Sequence, residues 1–208
     1  ARYCLVQANF YFTGNPGNCS YPHKSVVMNT DNLREAVCHD YVCAEYKNHY
    51  RNGENFISAD CLPVDCDNDH SEDPKDWVTP ADVLEAFPGV SIAIHYSRFN
   101  NREKNGKPAR PKFHVLFPID RMTDATLYSD MKKLVNSIFP YFDTKALDAA
   151  RFFFGTQEPN VELYPGRMNL TEFLNDDEFD AGLPCGHKKD AVIPEGSRNA
   201  VMSRFAGI

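Results

Sequence analysis

The sequence predicts an α/β or α+β domain whose sheet is covered mainly on one face. Three observations carry this. Segments rich in β-branched and aromatic residues are interleaved with segments of helical period. Two of the strand-like runs flank a turn dipeptide, Asn105-Gly106. The composition (208 residues, 42% hydrophobic, 25% charged, 14 Pro, 11 Gly) is that of an ordinary folded chain, which excludes collagen-like, low-complexity and largely disordered classes. At this length one core buries about 70% of the unfolded surface, so one domain over 1–175 with a small appendage is expected. No window has the roughly 20 consecutive apolar residues of a membrane-spanning helix. No charged-then-apolar secretion signal opens the chain, which begins at Ala1.

Residues 3–12 alternate loosely (Tyr3, Leu5, Phe10, Phe12) as a strand does, and a Gly/Asn/Pro-rich loop follows over 13–22. Residues 29–50 read as a helix, with Asp31 as cap and Leu33, Val37, Tyr41, Ala44 and Tyr46 near helical spacing. Leu62-Pro63-Val64 is a short apolar strand that runs directly into Asp65-Cys66-Asp67. Thr79 caps a helix through Phe87, with Pro80 at its first position. A β-branched strand spans 90–96, a basic loop over 97–111 reverses at Asn105-Gly106, and the returning strand covers 113–119. Leu127, Met131, Leu134, Val135 and Ile138 mark a helix over 123–139, and short helices or turns follow at 144–153 and 169–174. Residues 176–192 are acidic and Gly/Pro-punctuated, as a linker is. Residues 193–208 turn apolar behind Pro194-Glu195-Gly196-Ser197 and read as the start of a C-terminal helical module that continues past 208. No internal repeat is visible.

Net charge is −7, which argues against indiscriminate coating of nucleic acid. The distribution is more informative. Residues 60–76 carry Asp60, Asp65, Asp67, Asp69, Glu72, Asp73 and Asp76 against Lys75 alone. Residues 97–112 carry Arg98, Arg102, Lys104, Lys107, Arg110 and Lys112 against Glu103 alone. Brought together, the two stretches suit a site that holds cations and phosphates; apart, they are solvated loops. The 7 cysteines are dispersed and odd in number, which favours a reducing compartment over a disulfide framework. Cys38-His39 with Cys43, and Cys185 with His187, lack paired zinc spacing, so idle or buried thiols are expected.

Three segments carry chemistry. In an extended chain Asp65 and Asp67 point to one side, and two adjacent carboxylates suit a hard cation such as Mg²⁺ or Mn²⁺. Along Arg110-Pro111-Lys112-Phe113-His114-Val115-Leu116-Phe117, strand alternation places Phe113, Val115 and Phe117 on one face and Lys112, His114 and Leu116 on the other. Lys112 and His114 then suit triphosphate oxygens, whereas an isolated histidine is more often a satisfied core residue; His95 fits that simpler role. The third segment supplies Asp143 after Phe142, then Asp148, Arg151 and Phe152-Phe153-Phe154-Gly155-Thr156. Asp65, Asp67 and Asp143 around two divalent ions, with His114 and Arg151 on phosphate, are the equipment of two-metal phosphoryl transfer. Asp148 competes for the third position, and an i,i+3 ion pair with Arg151 is its simpler reading.

These segments, in this order, resemble the archaeo-eukaryotic primase superfamily, in particular the primase-polymerases of phages, plasmids and other mobile elements. Val64-Asp65-Cys66-Asp67 is similar to the family's apolar-flanked DxD, Pro111-Lys112-Phe113-His114 to its His strand, and Phe142-Asp143 with Arg151 and Gly155-Thr156 to its third motif. Ser97-Arg98 and the basic loop are similar to mobile-element members. Pro111 stands where the family has Gly or Ser. The resemblance implies a primase catalytic core: an RRM-like antiparallel sheet packed with an N-terminal α/β unit, the active site between them. It implies a DNA primase/polymerase transferring nucleotides from NTPs or dNTPs on a single-stranded or primed DNA template. Asp65, Asp67 and Asp143 would hold two Mg²⁺ or Mn²⁺ ions, and Lys112, His114, Arg151, Arg98 and Ser97 the nucleotide or primer end. Arg102, Lys104, Lys107 and Arg110 would meet nucleic acid. A helicase beyond residue 208 and a cytoplasmic setting in a bacterial, archaeal or phage-infected cell are also implied. A metal-dependent nuclease or phosphodiesterase, and a non-catalytic nucleic-acid-binding domain, are the competing classes.

Overall fold

The computed structural model describes residues 7–13, 19–104 and 106–176. The expectations for 1–6, for nearly all of the 176–192 linker, for 193–208 and for Cys4, Cys185 and His187 lie outside them. In chain order the elements are β1 (Ala8–Phe12), β2 (His23–Val27), α1 (Thr30–Val37), β3 (Tyr41–Val42), β4 (Ala44–Tyr46), β5 (Phe56–Cys66), α2 (Pro80–Ala86), β6 (Ile92–Tyr96), β7 (Arg102–Lys104), β8 (Lys107–Arg110), β9 (Phe113–Met122), α3 (Ala125–Ile138), β10 (Val161–Tyr164) and α4 (Leu170–Leu174).

The central sheet has the order β10-β6-β9-β5-β4, with every neighbouring pair antiparallel. β5 and β6 are therefore parallel to each other and flank β9, a split β-α-β unit with α2 as its crossover. A second sheet, β2-β1-β3, is also antiparallel, and β7-β8 form a hairpin that turns between Lys104 and Lys107.

Alternation assigns the two faces of the central sheet. Leu62, Val64, Ile92, Ile94, Phe113, Val115 and Phe117 pack with Val83 and Phe87 of the α2 end, Tyr128, Met131 and Val135 of α3, and Leu170 and Phe173 of α4. Cys61, Ala93, Leu116 and Val161 face the other way, toward Phe10, Val27, Leu33, Val37 and Tyr41. The second face is thus covered as well, by the N-terminal strands and α1, rather than left largely open. No helix of the described residues is long and apolar enough to cross a membrane.

The helix expected over 29–50 is a short one. Asn29, not Asp31, caps α1 by accepting from the N–H groups of Asp31 and Asn32 at 3.0 and 2.9 Å. The helix ends at Val37 because Tyr41 and Val42, good strand formers, pair with β1, and Tyr41 also exchanges backbone hydrogen bonds with Phe153. Tertiary pairing overrides a helical spacing there.

The outer edge of β5 is only partly covered by a strand. β4 pairs only with residues as far as Ala59. Beyond that point the edge is filled by other groups: the Tyr128 hydroxyl donates to the carbonyl of Cys61 at 2.7 Å, and the Asp143 N–H donates to the carbonyl of Asp65 at 2.7 Å. Pro63 lies between them with the same strand parity, where its missing N–H leaves no orphan donor.

Candidate active site

Asp65, at the end of β5, is in register with His114 of β9, which is in turn in register with His95 of β6. The three residues form a row across the second face of the sheet, under the N-terminal unit. Asp67 follows where the strand ends, and the acidic loop after it is braced from inside. Asn68, at positive φ, is buried; its amide donates to the carbonyls of Val78 and Pro111 and its oxygen accepts from the Val78 N–H. Arg110 is also buried, donating to the carbonyls of Asn68 and Ser71 and pairing with Asp69 and Glu72. Its guanidinium packs against Trp77. The sequence placed Arg110 among the contacts to nucleic acid; in the structure it is buried as a brace of this loop.

Lys112 is 5% exposed, and its ammonium lies 2.9 Å from Asp67 and 3.7 Å from Asp69. Asp69 also receives Lys107 at 3.3 Å, and these cations hold its carboxyl below the usual range despite some desolvation. The basic hairpin is thereby fastened to the acid-bearing loop.

Asp143 reaches the site through its backbone bond to the free edge of β5, and its Oδ1 caps the turn at Lys145. Burial, then the charges of Asp67 and Asp143, push the Asp65 carboxyl up to about 7; Arg151 and Lys112 act in the opposite sense. Asp148 caps its own turn at Ala150 and acts on Lys132. Among the described residues Asp148 and Arg151 form no ion pair. Two buried polar atoms here have no hydrogen-bond partner: Asp65 Oδ1 and Arg151 Nε. The structure therefore gathers Asp65, Asp67, Asp143, Lys112, His114 and Arg151. Among the described residues, no three His, Cys, Asp or Glu side chains form a ready-made metal site.

His114 Nε2 lies 3.8 Å from Asp65 Oδ1. Its Nδ1 is 3.0 Å from the Tyr41 hydroxyl and 3.2 Å from His95 Nδ1. Burial lowers His114 to about 4 and His95 well below its ordinary value, so both rings are neutral near pH 7. Sequence reasoning gives no role in the site to Tyr41, His95 or Thr156. His95 carries a signal in its position on the strand paired with His114; Tyr41 carries none while 29–50 reads as a helix.

Ser97 is spent locally, its hydroxyl accepting from the Phe99 N–H and its carbonyl from the Asn100 N–H. Arg98 is exposed and stacks its guanidinium over Phe154 and Phe99, at 4.3 and 5.5 Å from the ring centres. The contacts continue on both sides: Lys104 over Phe99, Phe154 edge-on to Phe152, and Arg51 over Phe152. Arg102, Lys104 and Lys107 are exposed on the hairpin. Cys38 bonds to the carbonyl of Glu35, Cys43 is buried, and His39 stacks on Phe12, so these residues do not converge as a zinc site would.

No known protein family and no curated protein matches the sequence. Among solved structures, the chain is similar to the AEP domain of the cyanophage S-2L primase-polymerase (PrimPol), with a TM-score of 0.42 and 11% sequence identity over 76% of this chain and 80% of that one.

Proposed function

We propose that this domain is a nucleotidyltransferase, a DNA primase/polymerase that adds NTP or dNTP units to a strand paired with a template, in the replication of a mobile element. The observation that carries this is the convergence of two separate acidic stretches, Asp65-Cys66-Asp67 and Asp143, beside Lys112, His114 and Arg151. A carboxylate row with cations behind it suits a substrate that is itself a polyanion.

The donor set fits hard divalent cations. All the donors are carboxylate oxygens, Asp65 Oδ1 is buried without a partner, and burial, then repulsion from Asp67 and Asp143, raises Asp65. Asp65, Asp67 and Asp143 would hold Mg²⁺ or Mn²⁺, which when bound lower the pKa of an attacking 3′-hydroxyl and neutralise charge at the transferring phosphorus. Lys112, now paired with Asp67, supplies an ammonium for triphosphate oxygens once Asp67 is otherwise engaged. His114 offers Nε2 to the same oxygens, and Arg151, whose Nε is unpartnered, a further donor. The strip from Arg51 through Phe152, Phe154, Arg98 and Phe99 to Lys104 mixes cations with rings, as surfaces that bind single-stranded nucleic acid do.

The test is incubation of the protein with primed template, dNTPs and Mn²⁺. Elongation that is abolished in Asp65→Ala/Asp67→Ala supports the proposal. Shortening of the strand instead points to a nuclease that uses the same carboxylates, and binding without either reaction points to a non-catalytic domain.

A further inference from the structure

Behind His114 lies a hydrogen-bonded cluster that nucleotidyl transfer does not itself use. We propose that Tyr41 and His95, backed by Thr156, form a buried relay that fixes His114 in the tautomer presenting its Nε2–H to the site. Tyr41, His95 and Thr156 are then positioning residues, and their consequence for nucleotide binding rests on the reading of His114 as a phosphate contact.

The geometry is a triangle. The Tyr41 hydroxyl oxygen is 3.0 Å from His114 Nδ1 and 3.2 Å from His95 Nδ1, and the two Nδ1 atoms are 3.2 Å apart. On the far side of His95, Nε2 is 3.1 Å from the Thr156 hydroxyl. All three rings are buried, so the hydrogen bonds must be met from within the cluster. A neutral imidazole has one N–H and one lone pair. Two polarities then run an unbroken chain from Thr156 through His95 and Tyr41 to His114, with no separate proton for the Nδ1···Nδ1 contact. In one, Thr156 donates to His95 Nε2, His95 Nδ1–H donates into the triangle, Tyr41 donates to His114 Nδ1, and His114 carries its proton on Nε2. In the other every bond is reversed, and a bare Nε2 lone pair faces the site.

What lies at the mouth decides between them. His114 Nε2 faces Asp65 Oδ1, a buried acceptor with no hydrogen-bond partner. A lone pair there opposes the ionised carboxylate and any phosphate oxygen that arrives, whereas an N–H is attracted to both. The first polarity is the one the site favours.

The backbone holds the relay in place. Tyr41 and Phe153 exchange N–H···O bonds, Thr156 N–H donates to the carbonyl of Val37, and Gly155 N–H donates to Asp40 Oδ1. A Cβ at Gly155 would fall on the backbone of His39, so only glycine allows the two segments to lie this close. Phe153 stacks on Tyr41 and meets His114 edge-on. The Gly155-Thr156 dipeptide thus has a physical role: close approach, then a hydroxyl for His95.

Long-range proton–nitrogen NMR correlations on protein labelled at histidine, taken at alkaline pH where Asp65 is ionised, with chelator and no nucleotide, read the tautomers directly. The expected result is His114 protonated on Nε2 and His95 on Nδ1; a proton on His114 Nδ1 overturns the proposal without any variant. Tyr41→Phe/His95→Leu removes the Tyr41 donor to His114 Nδ1 and the His95 N–H behind it, and is expected to release the tautomer. Tyr41→Phe/His95→Asn, which restores an N–H near the lost Nδ1, is expected to hold it; a His114 signal unchanged in the first variant overturns the relay. In primer extension the first variant is expected to raise KM for the nucleotide on the order of tenfold, with kcat within a few-fold, and the second to recover it. A tautomer that responds while KM does not supports the relay and rejects His114 as a triphosphate contact.

Discussion

The Asp143 N–H donates to the Asp65 carbonyl at 2.7 Å, so the backbone that carries one acid is a strand-edge partner of the backbone that carries the other. Residues 78 positions apart in sequence are held together without the repelling side chains having to attract each other. Asp148 is tied instead to its own turn and acts on Lys132. Asp143→Asn is therefore expected to reduce nucleotide incorporation by more than the roughly 10–100-fold typical of losing an outer-sphere partner of a metal. Asp148→Asn is expected to leave it within about twofold, a change too small to reflect loss of such a partner. Equal losses in steady-state primer extension would reverse the assignment of the third acid.

Asp65 also makes stability depend on pH. Its folded value, about 7, lies above the ordinary 3.8, so the folded state holds this proton more tightly than the unfolded chain. The resulting stabilisation is full below about 3.8 and is lost as pH rises through 7. Above that, the buried carboxylate is a cost of roughly 2 kcal/mol or more. In chelator, Asp65→Asn is expected to raise Tm by several degrees at alkaline pH, an advantage that shrinks as pH falls below 7. His114 works in the opposite sense: lowered from 6.5 to about 4, it contributes stability above 6.5 that is lost as pH falls through 4. Thermal melts of both proteins across this range check the sign, and a gap that widened toward acid would contradict it.

Much of this site was legible because strand period and charge are local properties. The alternation of 112–117 placed Lys112 and His114 opposite Phe113, Val115 and Phe117, and the burial of those three against α3 and the α2 end follows that pattern. The Thr79/Asp82 capping box and Pro80 opened α2 where a cap and a first-turn proline should. What was not legible depended on distant partners. Tyr41 belongs to a two-residue strand whose existence is decided by Phe12 and Phe153. Arg110 looked like one of several surface cations, and only the folded loop shows its guanidinium enclosed by Asn68, Ser71 and Trp77.

Gly155 tests how closely the N-terminal unit must approach the site. An alanine Cβ would meet the His39 backbone, which cannot yield as the end of a flexible side chain can. Gly155→Ala is expected to destabilise the fold by about 1–3 kcal/mol, the usual range for overpacking. It also displaces Phe153 and Thr156 from Tyr41 and His95. Gly53, with nothing near its Cβ position, is the matched control, and Gly53→Ala is expected to leave the melting midpoint nearly unchanged. Similar losses in the two variants would show that residues 153–156 have room to move away from 37–41 at little cost.

Arg98 and Arg110 separate the exposed cations from the buried ones. Arg98 is exposed between Phe154 and Phe99, so truncating it or Phe154 removes surface and charge but no core contact. Loss of a stacked base costs about 1–3 kcal/mol, so Phe154→Ala is expected to weaken binding of a fluorescent single-stranded oligonucleotide by roughly 5–150-fold with an unchanged Tm. Arg98→Gln is expected to weaken it too and to flatten its salt dependence by about one phosphate's worth of counterion release. Arg110→Gln is expected to do the reverse. It leaves the carbonyls of Asn68 and Ser71 without their buried donor and takes one cation from Asp69 and Glu72, so Tm falls first and any loss of binding follows unfolding of the acidic loop. Anisotropy titrations at two salt concentrations, alongside melts of the same samples, distinguish the two behaviours. Should Phe154→Ala bind as tightly as the parent chain, the nucleic acid runs over another surface and the aromatic strip is ordinary packing.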